Sequence, residues 1–126
     1  MIAGIGTDIV CIARMAKNIQ RYGVRFAERI LHPDEYAEFQ TTTRQAHFLA
    51  KRFAAKEAAA KAMGTGFRDG VNLKDIYVKH DSYGKPVLQF AGHSALILTQ
   101  TAVCAWHLSL SDEDDYAVAF VVLEKK

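Results

Sequence analysis

The segment from Arg44 to Met63 contains no glycine and no proline, and it is built largely from alanine, lysine, arginine and glutamate. These are the residues that lose least on entering a helix. Gly64-Thr65-Gly66 follows, so the helix has a natural stop at a residue that accepts the left-handed conformation. At 1.5 Å per residue it spans roughly 30 Å, the width of a small domain. A chain of 126 residues holds one domain's worth of core, and the expected unit runs over residues 1–126. A rod that long must cross the whole of it, so every other element has to pack around it.

The remaining elements follow from periodicity and punctuation. Ile2 to Ile9 is apolar with glycine at 4 and 6 and reads as a strand. Ile12, Met15, Ala16 and Ile19 share one helical face, and Gly23 interrupts or ends that helix. His32-Pro33-Asp34-Glu35 is a helix start, with proline in the first turn and acids at the positive end of the dipole. Tyr36 and Phe39 are its expected buried side. The stretches Asp75 to Lys79 and Val87 to Phe90 flank the turn cluster Asp81-Ser82-Tyr83-Gly84 and predict a hairpin. A short helix is expected over Ser94 to Ala102. Val103 to Leu110 and Tyr116 to Leu123 read as strands, the second apolar on both faces, which requires cover on both sides and suggests a subunit interface. The fold class is α+β, an antiparallel sheet on a long central helix.

Composition narrows the function. No apolar run approaches the ~18–20 residues of a membrane span, and the start of the chain, with Asp8 and no basic residues, is a poor signal peptide. Cys11 and Cys104 lie far apart in apolar stretches and read as small buried hydrophobes of a reducing compartment, so the expected location is cytoplasmic. A net charge of +2 is too balanced to argue for nucleic acid. The distribution is uneven. Arg14, Lys17, Arg21, Arg25 and Arg29 meet one acid, Glu28, whereas Asp112 to Asp115 is an unbroken acidic run.

Five constellations bear on chemistry. Asp8 ends an apolar strand, where an unpaired carboxylate is costly; it is either a cap or structural partner, or a ligand. Glu57 and Lys61, four apart, share a helix face as either an ordinary surface pair or a carboxylate beside an ammonium, which suits a metal next to a phosphate. Tyr83-Gly84-Lys85-Pro86 is a plain hairpin turn or a ligand-facing edge. His107, Ser109 and Ser111 alternate onto one strand face, with His107 either a satisfied core residue or part of a site. The stripe Arg14, Lys17, Arg21, Arg25, with Phe26 at its end, occupies one face if the helix survives Gly23. Lacking interleaved acids, it is either a solvated face or a surface for an acidic partner. No zinc spacing, P-loop or Ser-His-Asp signature is present.

Gly4-Ile5-Gly6-Thr7-Asp8-Ile9-Val10, then Arg52-Phe53-Ala54-Ala55-Lys56-Glu57-Ala58 with Lys61-Ala62 and Gly64-Thr65-Gly66, resembles the bacterial holo-acyl-carrier-protein synthases, the small phosphopantetheinyl transferases. Gly84-Lys85-Pro86 and His107-Leu108-Ser109-Leu110-Ser111 fit the same pattern in order, over the whole chain. The resemblance implies the phosphopantetheinyl transferase fold. It also implies transfer of phosphopantetheine from coenzyme A to a serine of apo acyl carrier protein, in fatty acid biosynthesis, by a homotrimer with coenzyme A in clefts between subunits. It implies magnesium on Asp8 and Glu57 and phosphate on Lys61. Coenzyme A contacts fall at Lys61, Gly64, Gly84, Pro86 and His107, and carrier-protein docking at Arg14, Arg21, Arg25 and Phe26. Glu57 is the first choice as general base and Asp8 the second. Many relatives have histidine where this chain has Asp112. A non-enzymatic module that binds an acidic protein or RNA through the stripe is the competing class. It leaves Asp8 and Glu57 idle, and it lacks the interleaved aromatics of RNA readers.

Overall fold

The computed structural model describes residues 1–126. In chain order the elements are β1 (Ile2–Cys11), α1 (Ile12–Tyr22), α2 (Val24–Ile30), α3 (Pro33–Thr41), α4 (Gln45–Met63), β2 (Ile76–His80), β3 (Pro86–Phe90), α5 (Gly92–Gln100), β4 (Val103–Asp112) and β5 (Tyr116–Lys125), with one 3-10 turn at Leu73–Asp75. Helix α4 is the expected rod. It ends at Gly64, where φ is 79° and the backbone N–H donates to the Lys61 carbonyl. Its alanines 54, 55, 58, 59 and 60 are fully buried.

Strands β1, β5 and β4 form an antiparallel sheet in that order, and β2–β3 is a separate antiparallel hairpin. The sheet lies on α4 through the inner faces of β1 and β5. Ala117, Ala119, Val121 and Leu123 of β5 are buried there. On β1 the inward positions include Gly4 and Gly6, and the glycines have a steric reason. A Cβ on Gly4 would stand 2.0 Å from the Ala62 carbonyl oxygen, and one on Gly6 would stand 1.9 Å from that of Ala58. Strand and helix backbones touch, so no side chain fits between them. The opposite sheet face stays open, with Ile5 60%, Ile9 62%, Tyr116 50% and Phe120 44% exposed. The expectation that β5 is apolar on both faces holds, and α4 covers only one of them.

Several expectations need correction. At Gly23, φ is 66° and ψ is −155°, so the first helix does not continue; Arg25 and Phe26 belong to α2, not to the face that bears Arg14, Lys17 and Arg21. Helix α3 buries Glu35 and Phe39, while Tyr36 is half-buried. Cys104 is exposed and Cys11 half-buried, so neither is a core residue. The hairpin turn is held by the Asp81 carboxylate, which accepts from the backbone N–H groups of Tyr83 and Lys85 at 2.8 and 2.9 Å.

Candidate active site

Alternation along β1 puts Asp8 on the same face as Gly4 and Gly6, the face that presses on α4. The close approach of the two backbones brings the carboxylate to the C-terminal half of the helix. There Phe53, Glu57 and Lys61, spaced by four, line one stripe. With Ile9, Val10 and Cys11 of β1, Arg14 and Met15 of α1, and Tyr116 of β5, they enclose a cleft of about 410 Å³ together with Asp8. A larger cleft of about 510 Å³ lies elsewhere and places a single carboxylate, Asp75, among Arg29 and Lys74.

The charges in the smaller cleft are tightly organised. The Lys61 ammonium donates to Asp8 Oδ1 and to the Thr7 carbonyl, each at 3.0 Å. The i,i+4 spacing predicted a Glu57–Lys61 pair. Instead the ammonium crosses to β1, where Asp8 and the Thr7 carbonyl together offer it two acceptors. Glu57, half-buried, is pushed above the usual carboxylate range, first by burial and then by the negative charge of Asp8, with Lys61 pulling the other way. Asp8 holds the ammonium, and Glu57 lines the same cleft without a hydrogen bond to it, while Arg14 borders the rim. Asp8 is not a helix cap, since the N-cap of α1 is Cys11, with no side-chain hydrogen bond.

The donor set suits magnesium, which takes one or two carboxylates and completes its shell with water and phosphate oxygens. No cluster of three or more His, Cys, Asp or Glu side chains occurs, so zinc-type ligation has no basis here. Glu57, raised by burial and then by the charge of Asp8, is the kind of group a bound cation would relieve.

The other expected site residues lie apart within one chain. Gly64 caps α4 beyond Lys61, Gly84 sits in the β2–β3 turn with φ 81°, and Pro86 opens β3 opposite His80. His107 is on the open face of the sheet, its Nε2 2.5 Å from Glu124 Oε1. Asp112 ends β4, 4.0 Å from the Lys51 ammonium. Arg14 reaches the cleft, whereas Lys17 and Arg21 continue along exposed α1. Tyr22 stacks on Phe26 at 6.3 Å across the Gly23 break, which joins the two helices into one surface. The sequence reading missed Phe53, Met15, Tyr116 and Cys11 as lining residues. Phe53 alone had a signal, its place one turn before Glu57.

Comparison with known proteins gives one consistent answer. The family model of the 4'-phosphopantetheinyl transferase superfamily matches residues 4–121. The holo-[acyl-carrier-protein] synthase of Halorhodospira halophila is 55% identical over 123 residues, 98% of each chain. The crystal structure of the Neisseria meningitidis holo-[acyl-carrier-protein] synthase superposes with a TM-score of 0.94 at 46% identity, covering 99% of this chain and 100% of that one. The Bacillus anthracis synthase, solved in complex with CoA (3',5'-ADP), superposes at 0.83 with 39% identity over 100% and 99% of the two chains.

Proposed function

Because the chain belongs to the 4'-phosphopantetheinyl transferase superfamily, we propose that it transfers phosphopantetheine from coenzyme A to a serine of apo acyl carrier protein, leaving adenosine 3',5'-bisphosphate. The observation behind this reading is the Asp8–Lys61 contact at 3.0 Å beside the raised Glu57, in one cleft that Arg14 borders. Lys61 presents a positive charge to the diphosphate of the donor. The carboxylates of Asp8 and Glu57 would hold magnesium, which when bound would supply Lewis-acid neutralisation of phosphate oxygens. The serine oxygen forms a bond to the phosphorus nearer pantetheine, and the bond from that phosphorus to the bridging oxygen of the bisphosphate breaks. Glu57, in the same cleft and held above its ordinary value by burial, takes the serine proton. Phosphoryl transfer depends mainly on position and charge, so so small a cleft suffices.

The carrier protein approaches over α1 and α2. Arg14, Arg21 and Arg25 are exposed, and Phe26 is half-buried beside them. An acidic helix seated there would bring its serine to the rim at Arg14. The open sheet face pairs subunits in a homotrimer. Such an assembly allows Gly64, Gly84, Pro86 and His107, scattered in one chain, to meet coenzyme A in a cleft shared by neighbours. The reaction belongs to fatty acid biosynthesis in the cytoplasm; no helix is long and apolar enough to cross a membrane. The test is to mix the protein with apo carrier protein, coenzyme A and magnesium and look by mass spectrometry for a phosphopantetheine adduct on the carrier serine. Asp8→Asn and Glu57→Gln should each abolish it while remaining folded. No adduct from the unaltered chain, or full turnover by either variant at limiting magnesium, refutes the reading.

A further inference from the structure

The contact that builds the cleft is smooth. Ala58 and Ala62 meet Gly4 and Gly6 backbone to backbone, with no large side chain between α4 and β1 at these positions to interlock. Such a surface resists separation better than it resists rotation or sliding. On another side of α4 lies a feature the reaction does not use. Lys56, fully buried, donates from Nζ to Glu35 Oε1 at 2.6 Å, to the Leu73 carbonyl at 3.0 Å and to the Ile76 carbonyl at 2.5 Å. All three ammonium hydrogens are thereby engaged. Glu35, also fully buried, accepts from the Val78 N–H at 3.0 Å and from the His32 N–H at 3.0 Å. This one pair ties α4 to the start of α3, to the 3-10 turn and to β2. Arg52, one turn earlier on α4, stands 3.9 Å from the same carboxylate and 4.4 Å over the Phe48 ring.

An ammonium buried this fully is an expensive way to hold a helix, and apolar side chains of similar volume often do as well for stability. Its distinguishing property is direction, since three fixed acceptors admit one orientation. Lys56 immediately precedes Glu57, about 100° around the helix axis and about 1.5 Å along it. We propose that Lys56, anchored by Glu35, is a positioning residue that sets the rotation of α4 and so aims Glu57 and Lys61 at Asp8. This rests on the transferase reading of the cleft. The pair touches neither substrate nor reacting atoms; it acts through the helix.

The test compares Lys56→Met with the double variant Glu35→Gln/Lys56→Met, which removes the stranded carboxylate. Three quantities are measured on each: melting temperature, kcat and KM for coenzyme A in the transfer assay, and Mn²⁺ affinity with coenzyme A present, by electron paramagnetic resonance. Misplacement by ~1 Å can lower a rate on the order of 10²-fold. The expected result is a kcat lowered at least about tenfold in both variants. KM for coenzyme A should change little and Mn²⁺ affinity should weaken. The double variant should regain melting temperature without regaining kcat. If Lys56→Met fails to fold, the double variant supplies the same comparison. Activity that returns together with stability, or a folded variant with unaltered kcat and Mn²⁺ affinity, overturns the proposal. An unaltered chain that transfers nothing refutes the function instead, and Mn²⁺ affinity alone then decides the role of Lys56.

Discussion

Replacing Gly6 with alanine tests the contact on which the cleft depends. A Cβ there would lie 1.9 Å from the Ala58 oxygen, 2.7 Å from the Ala62 nitrogen and 3.0 Å from the Ala58 carbonyl carbon. All three are backbone atoms of α4, so no side chain can swing aside. Ordinary van der Waals contact begins near 3.4 Å, so β1 has to retreat by about 1.5 Å. Overpacking costs ~1–3 kcal/mol, and a clash with backbone belongs at the upper end. Alanine returns ~0.4–1 kcal/mol by stiffening the unfolded chain. A net loss of about 2–3 kcal/mol remains, which for a chain of this size lowers Tm by roughly 6–18 °C. Asp8 lies two residues on and moves with the strand, so the 3.0 Å contact to Lys61 opens and transfer should fall on the order of 10²-fold. Thermal unfolding followed by circular dichroism gives the first number and the mass-spectrometric transfer assay the second. Leu88→Ala is the control: it leaves a cavity at fully buried Leu88 of β3, away from β1, at a cost of ~2–5 kcal/mol, so it should melt early yet turn over normally well below its Tm. A Gly6→Ala protein with unaltered Tm and rate would refute the reasoning, as would a Leu88→Ala protein equally impaired in rate.

Glu57→Gln should stabilise the metal-free protein at neutral pH. The folded carboxyl is raised above its ordinary 4.5, so its contribution is fully present below that value and is lost as pH rises through the raised one. The Tm advantage of the glutamine variant should therefore close on acidification, and a gap that widens in acid contradicts the cause given. Charge reversal at Arg14 or Arg21 should raise KM for the carrier protein several-fold and leave that for coenzyme A nearly unchanged. Added salt should weaken docking of the unaltered protein, since the screening length is about 8 Å at physiological ionic strength; Phe26→Ala should weaken docking with little salt dependence. Steady-state kinetics with each substrate varied decides, and an effect confined to coenzyme A would assign the stripe to the wrong ligand. Light scattering should find a trimer, and Phe120→Asp, in the middle of the open sheet face opposite Thr7 and Ser109, should dissociate it. A stable, active monomer of 14.0 kDa in the unaltered chain would contradict the assembly.

What could be read before folding was what depends on near neighbours along the chain. Helix α4 was legible because freedom from glycine and proline and a terminal Gly64 act within a few residues. The strands β1 and β5 were legible because a short apolar run is a local signal, and β5 announced two apolar faces before the sheet showed which one α4 covers. The resemblance carried by Asp8, Glu57 and Lys61 named candidate site residues, and the fold brings these three into one cleft. Their geometry was another matter. Spacing alone paired Lys61 with Glu57, four residues away, but the ammonium bonds to Asp8, 53 residues away. Gly4 and Gly6 could be noticed in the sequence, yet the carbonyls of Ala58 and Ala62 that exclude a side chain there appear only once strand meets helix. Gly23 left open whether Arg25 shares a face with Arg14, and the break at φ 66° closed the question. Glu35 and Lys56 gave no signal of burial, because charged residues at helical spacing look the same in a solvated face and in a core. Backbone preference is settled within a turn or a strand, whereas the partner of an ion is settled by whichever surface arrives opposite it, and only the packed tertiary structure brings those surfaces together.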